Sequence, residues 1–228
     1  MRVNGRLARL GDSADPDRDE IRLDGAAIAR EPLVYWLLHK PRGVITTVRD
    51  PQGRPTAVGL VPDRRHRLFP VGRLDRDTEG LLLLTNDGRA AQALLHPSYA
   101  SEREYAVEVR GRISAAALRR LAEGVALEDG PTAPARVGPC RHDPARDASR
   151  FALTLVEGRK RQIRRALAAL GHPVQRLVRV RMGPLRLGRL APGAARELSA
   201  SERRALLAAV REAEEARRRG RRSRLLGG

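Results

Sequence analysis

Four consecutive leucines, Leu81–Leu84, constrain the fold of this chain most strongly. They sit in the segment GRLDRDTEGLLLLTNDG, with Gly80 just before them and Asp87-Gly88 just after. A short run that is apolar at every position and closed by a turn dipeptide reads as a buried strand. LVYWLLHK, from Leu33, is a second run of strand length, followed by the turn PRG and the β-rich VITTV. Strand character returns in EREYAVEVRGRI, FALTLVEG and PVQRLVRVRMGPLRLGRL, and Val125–Pro139 reads as strands joined by an Asp-Gly turn.

Helices are interleaved with these runs. RAAQALLH is a helix stopped by Pro97, and SAAALRRLAEG is one with Ser114 as N-cap and Gly124 as its stop. KRQIRRALAALG carries Ile163, Leu167 and Leu170 on one face and ends at Gly171. Ser199 and Glu202 form a capping box that opens a last helix. Strands and helices alternate without a regular βαβ rhythm, which predicts an α+β fold with a largely antiparallel sheet. Residues 1–30 stand apart: short apolar stretches around Val3, Leu7, Ile21 and Leu23 suggest small strands, too few to bury a core of their own.

The chain of 228 residues carries a formal charge of +18, which attracts polyanions and makes nucleic acid the first candidate partner. Only Lys40 and Lys160 are lysines, so genomic base composition also shapes the pattern. Such a bias exchanges lysine for arginine but does not create an excess over acids. Cys140 is the only cysteine and the five histidines have no ligand-like spacing, so no thiolate metal site is expected. No apolar run approaches the roughly 20 residues of a membrane helix, and no signal peptide is visible. The chain reads as a soluble, cytoplasmic protein without a metal.

The acidic residues of GRLDRDTEG are the first candidates for chemistry. Asp75 lies between a loop and a strand, with Gly72 and Gly80 permitting tight backbone and Arg73 and Arg76 on either flank. Read from these residues alone, the segment is first a surface loop with solvated Asp–Arg pairs and only second a site of chemistry. Asp75 with Asp77 or Glu79 also has the makings of a glycosidase pair.

GRLDRDTEGLLLLTNDG closely resembles the catalytic motif of bacterial ribosomal RNA pseudouridine synthases of the RsuA/RluB group. The resemblance extends through HKPRGVITT upstream and EREYAVEV and EGRKRQIRRALAALGHPVQRLVRVRMGPLRLGRLAPGAARELS downstream, in order, from about Pro32 to Leu207. It implies the pseudouridine synthase fold, a mixed, largely antiparallel sheet flanked by helices around an RNA-binding cleft, over residues 31–210. Asp75 matches the family's nucleophile, Tyr105 the tyrosine that stacks on the target base, and Arg164 the basic residue that pairs with the aspartate. Leu177 matches the apolar residue that packs beneath the site.

The implied reaction isomerises uridine to pseudouridine in ribosomal RNA, the large-subunit branch being preferred, by a monomer without a cofactor. Arg73, Arg76, Lys160, Arg161, Arg165 and Arg179 are the expected RNA-gripping cations. Members of the group begin with an S4-type RNA-binding domain, and VNGRLARLGDSADPDRDEIRLDG resembles only its β portion, so residues 1–30 read as a truncated S4 domain. Residues 211–228 read as a basic, disordered tail. The rivals are a non-catalytic RNA-binding or ribosome-assembly factor on the same fold, against which an intact Asp75, Tyr105 and Arg164 set argues, and the glycosidase.

Overall fold

A computed structural model describes residues 1–15, 18–28, 31–96 and 101–226. The chain divides into two compact units, Met1–Leu33 and Val34–Gly228. The boundary lies three residues beyond the one read from the sequence.

The first unit is a four-stranded antiparallel sheet in the order β2-β1-β3-β4, built from β1 (Arg2–Val3), β2 (Arg6–Leu7), β3 (Ile21–Leu23) and β4 (Ala26–Ala27). Its two hairpin turns are Asn4-Gly5 and Asp24-Gly25, all four residues at positive φ. These are the dipeptides whose twist suits a two-residue hairpin. Among the described residues none of the buried apolar side chains belongs to this unit, and Leu7, Leu23 and Ile28 are exposed.

The second unit is organised by a 10-stranded sheet. In chain order its elements are β5 (Tyr35–Lys40), β6 (Phe69–Pro70), β7 (Glu79–Thr85), α1 (Gly88–Leu95), β8 (Arg103–Arg110), α2 (Ala115–Glu123), the hairpin β9 (Ala126–Leu127) and β10 (Gly130–Pro131), β11 (Arg136–Val137), β12 (Arg141–Asp143), β13 (Ala148–Leu155), α3 (Gln162–Ala169), β14 (Val174–Met182), β15 (Leu185–Arg186), β16 (Ala195–Glu197) and α4 (Ala200–Leu226). The main path runs β11-β13-β8-β14-β7-β5-β16, and β9 and β10 stand outside the sheet as a pair of their own. Every pairing is antiparallel except β14 with β7. The sheet is therefore mixed and largely antiparallel, as the sequence predicts.

All seven residues of β7 are buried, so the leucine run is covered on both faces. Leu82 and Leu84 join Leu38, Val61, Leu68 and Leu74 in one core. A second core gathers Val107, Val109, Phe151, Leu153 and Leu177 from the strands with Leu121, Ile163 and Leu167 from α2 and α3. Tyr105 packs against both. The helix ends follow their sequence signals. Asp87 caps α1 by accepting from the Arg89 and Ala90 amides, Ser114 caps α2, and Ser199 and Glu202 exchange the two bonds of a capping box.

Two expectations are corrected. VITTV forms no strand; it makes a single bridge from Ile45 to Thr56, because Gly43 turns the chain and Thr46 bonds to Leu74 instead. The expected disordered tail is also replaced by helix, since α4 continues to Leu226. Ala, Glu, Arg and Leu dominate that stretch, and all are strong helix formers. Pro97, expected to stop α1, lies outside the described residues.

Candidate active site

A cleft of about 880 Å³ opens beside the β7–β14 seam, with Asp75, Tyr105, Arg164, Leu177 and Arg179 among its lining residues. One wall is the loop from Gly72 to Thr78. The other is the face of β8 and β14, and the segment entering α3 forms the rim.

The seam is possible because residue 80 is glycine. Gly80 lies opposite Arg179 in the parallel pairing, at φ +112°, and a Cβ there would come within 2.3 Å of the Arg179 carbonyl oxygen. No L side chain fits. The same row continues outward, pairing Arg179 with Tyr105 and Tyr105 with Leu153, while Lys40 pairs with Gly80 on the other side. Register alone thus sets Tyr105 two strands from the end of the Asp75 loop.

The loop wall is held by backbone bonds. Thr46 Oγ1 donates to the Leu74 carbonyl at 2.8 Å and accepts from the Leu74 amide at 3.2 Å. The Arg76 carbonyl accepts from the Gly43 amide at 2.8 Å, and the Thr78 amide donates to the Asp75 carbonyl at 3.0 Å. Lys40, fully buried beneath the loop, donates to the carbonyls of Pro41 and Val44 and, at 3.5 Å, of Arg76. Burial pulls the Lys40 ammonium down to about 8, against the opposing pull of Asp77, Asp75 and Glu79. The amine is still largely charged at neutral pH. Above about pH 8 the loop loses a charged donor.

Asp75 is partly open to solvent, its side chain 35% exposed, and its nearest cation is Arg161, with Nη1 at 3.9 Å from Oδ2. Arg161 enters α3 in the left-handed conformation, φ 51°, and forks onto Asp77 at 3.1 and 3.2 Å. The expected Arg164–Asp75 pair is replaced by one to Asp77. Arg164 Nη2 donates to the Asp77 carbonyl at 2.9 Å and Nη1 to the Val174 carbonyl at 3.2 Å. Its Nε lies 3.2 Å from Asp77 Oδ2 but is not aligned for a hydrogen bond. Anchored on the backbone of Asp77, Arg164 acts on Asp75 through charge and makes its direct contacts with Asp77 and Val174. Burial would raise the Asp77 carboxyl, but the Arg161 bond and the charges of Arg164 and Arg161 outweigh it and hold the acid below its usual range.

The other cations separate into two groups. Arg73, Lys160 and Arg161 are exposed and line the cleft. Arg76 is exposed but its side chain is not part of the lining. Arg165 is taken up by both oxygens of Asp129 at 2.7 and 3.1 Å, because neighbouring helix positions point about 100° apart. Arg179 contradicts the expectation of a cation open to phosphate: it is 2% exposed and donates through Nε to the Leu81 carbonyl. It shares its face of β14 with Leu177, and that face is turned inward. Leu177, 4% exposed, lines the cleft and belongs to the core beneath it.

The residues missed from sequence are Lys40 and Thr46, and the anchoring role of Asp77 and the close approach at Gly80 were not foreseen. One signal pointed to Lys40: it is one of two lysines among 45 basic residues. The assembled site offers a carboxylate partly shielded from water, an aromatic ring, an apolar floor and a cationic rim. Such a site suits a planar uncharged ring carried on a polyanion. Among the described residues no group of acids, histidines and cysteine is placed to hold a metal ion.

Comparison with known proteins agrees with this geometry. Residues 34–169 match the family model for RNA pseudouridylate synthase. The chain is similar to an RNA pseudouridine synthase of Aquifex aeolicus, 40% identical over 92% of this chain and 84% of that protein. It is similar also to the ribosomal large subunit pseudouridine synthase B of Bacillus subtilis, 41% identical over 89% of this chain and 83% of its relative. A crystal structure of a pseudouridylate synthase superposes with a TM-score of 0.69 at 32% identity, covering 90% of this chain and 87% of the other. The family match over more than half of the chain and the similarity to these relatives show that this chain belongs to the RNA pseudouridylate synthase family.

Proposed function

We propose that the chain isomerises a specific uridine of ribosomal RNA, in the large subunit, with Asp75 as the reacting carboxylate. The observation that carries this reading is that Asp75 lines one cleft together with Tyr105, Leu177 and the cations Arg73, Lys160 and Arg161. The name of the Bacillus subtilis relative supports the large subunit as substrate.

The reaction breaks the N1–C1′ bond of uridine and forms a C5–C1′ bond; the C5 proton is lost and N1 gains one. Atoms balance with no external reactant, so no cofactor is needed. Asp75 would attack, stabilise charge at C1′, or remove the C2′ proton on a glycal route. The uridine must leave its helix to reach the cleft, and Tyr105 is placed to stack on it. Arg164 acts through Asp77, holding the turn that carries Asp75, while Arg161 is the cation nearest that carboxylate.

On this reading residues 1–33 are the β portion of an S4-type RNA-binding domain, residues from Val34 into α4 are the catalytic domain, and the basic end of α4 adds to RNA affinity. The protein works as a cytoplasmic monomer. Purified protein, unmodified ribosomal RNA and pseudouridine-specific chemical mapping provide the test. Asp75→Asn should lower turnover by roughly a thousandfold or more while RNA affinity stays close to that of the parent. A parent protein that binds the RNA without forming pseudouridine would favour a non-catalytic assembly factor instead.

A further inference from the structure

We infer that Arg179 is a positioning residue for Tyr105 and makes no contact with RNA phosphate; the inference rests on the proposed stacking role of Tyr105. A strand arginine in a chain this basic looks like one more cation for the backbone of a nucleic acid. Its surroundings say otherwise. Although it lines the cleft, the side chain is only 2% exposed, so almost none of it is open to a ribose-phosphate chain. Nε is committed to the Leu81 carbonyl at 2.8 Å.

Arg179 and Tyr105 both line the cleft, and Arg103 adds a like charge near the guanidinium. Arg179 and Tyr105 are direct partners across β14 and β8. Arg179 Nη2 is buried with no hydrogen-bond partner. A buried cation with a donor unmet is costly, and such a cost persists where the group does something for the site. Burying that charge is compatible with one use: the guanidinium fixes the tyrosine hydroxyl, and with it the tilt of the ring across the cleft from Asp75.

Gly80 is part of the same device. Because residue 80 has no Cβ, the Arg179 backbone approaches β7 closely enough for Nε to reach Leu81. The guanidinium is thereby held by a backbone carbonyl on one neighbouring strand, while Tyr105 is its residue's direct partner on the other. It has no freedom to follow a ligand. Position matters at this scale, since a displacement of about 1 Å at a reacting centre can cost a hundredfold in rate.

The test is a cycle of full-length variants, Arg179→Met, Arg179→Lys, Tyr105→Phe and the Met/Phe double variant, with single-turnover rates and RNA affinity measured at several salt concentrations. Arg179→Met should slow pseudouridine formation roughly tenfold or more, with RNA affinity and its salt slope unchanged. Arg179→Lys, which keeps a charged donor, should recover part of the rate. In the Tyr105→Phe background, which retains the ring but lacks the hydroxyl, removing Arg179 should have little further effect. Equal losses in both backgrounds would overturn the proposal, as would weaker binding with a salt slope smaller by about one, the mark of a lost phosphate contact. If Arg179→Met does not fold by thermal melt, Arg179→Lys, Tyr105→Phe and their double variant decide: a Lys loss of the same size with and without the hydroxyl sinks the idea. Failure of the catalytic reading is separately visible, because the parent protein would then form no pseudouridine at all.

Discussion

The two walls of the cleft are built by different means. Tyr105, Leu177 and Arg179 stand on β8 and β14, where strand register sets each side chain and the cores on either side hold the strands in place. Asp75 stands on a loop, and its position depends on a set of individual bonds: Thr46 to Leu74, Gly43 and Lys40 to Arg76, and Arg164 to Asp77. The sheet wall loses little when one bond is lost, because its neighbours share the load. The loop wall has no such reserve. Placing the proposed reacting acid on the loop would leave it free to meet the substrate closely, and the buried lysine beneath it restores the definition that a strand would have given.

Gly80→Ala is the largest perturbation that separates the two walls, since it strikes the seam between them. A Cβ within 2.3 Å of the Arg179 carbonyl, at a positive φ, should cost about 2–6 kcal/mol from strain and overpacking together. Thermal unfolding should register the loss, and activity should fall even at temperatures where the variant remains folded. A Gly80→Ala protein with unchanged stability would mean the seam is looser than described.

Thr46→Val acts on the loop wall alone. It keeps the shape and removes both bonds to Leu74, so stability should fall by only about 1–3 kcal/mol. Turnover should drop by roughly tenfold with RNA affinity unchanged, because the acid is misplaced rather than the substrate released. Activity lost only in proportion to folded protein would make the two walls equivalent after all.

Glu202 lies on neither wall and provides the smallest effect. Hydrogen bonds from Arg196 hold its carboxyl down to about 2, from an ordinary 4.5, with the Ser199 amide and the Arg196 charge also lowering it against burial. A depressed acid contributes stability that is complete above the unfolded value and disappears as pH falls through the folded one. The contribution should therefore fade between about pH 4.5 and 2, and Glu202→Gln should flatten that part of the stability curve. Catalysis near neutral pH should be untouched; a marked loss there would tie α4 to the cleft.

Local signals were legible wherever a short stretch of chain decides the outcome. The leucine run and the caps at Ser114 and Ser199 depend on neighbours within a few residues. The Asp75 motif and Tyr105 were legible through resemblance, and both line the cleft. The partners of the arginines were not. Arg164 and Asp77 are 87 residues apart, and Arg165 and Asp129 are 36 apart. Nothing in a spacing says which acid a long flexible cation will meet once the chain has folded. VITTV shows the same limit, having the residues of a strand but finding its partner in a loop.

What the sequence determined by itself was the class of the molecule: an α+β body with a leucine-rich buried strand, a large positive charge, and an acid held between glycines next to that strand. Those follow from periodicity, composition and turn chemistry, which act locally or as sums. Only the tertiary structure decided which charges face the substrate. It turned Arg179 inward beside Tyr105, gave Arg164 to Asp77 and Arg165 to Asp129, and left Arg73, Lys160 and Arg161 at the rim. The physical reason is that a charge is defined by what surrounds it, and for these residues the surroundings come from strands and loops far away in sequence.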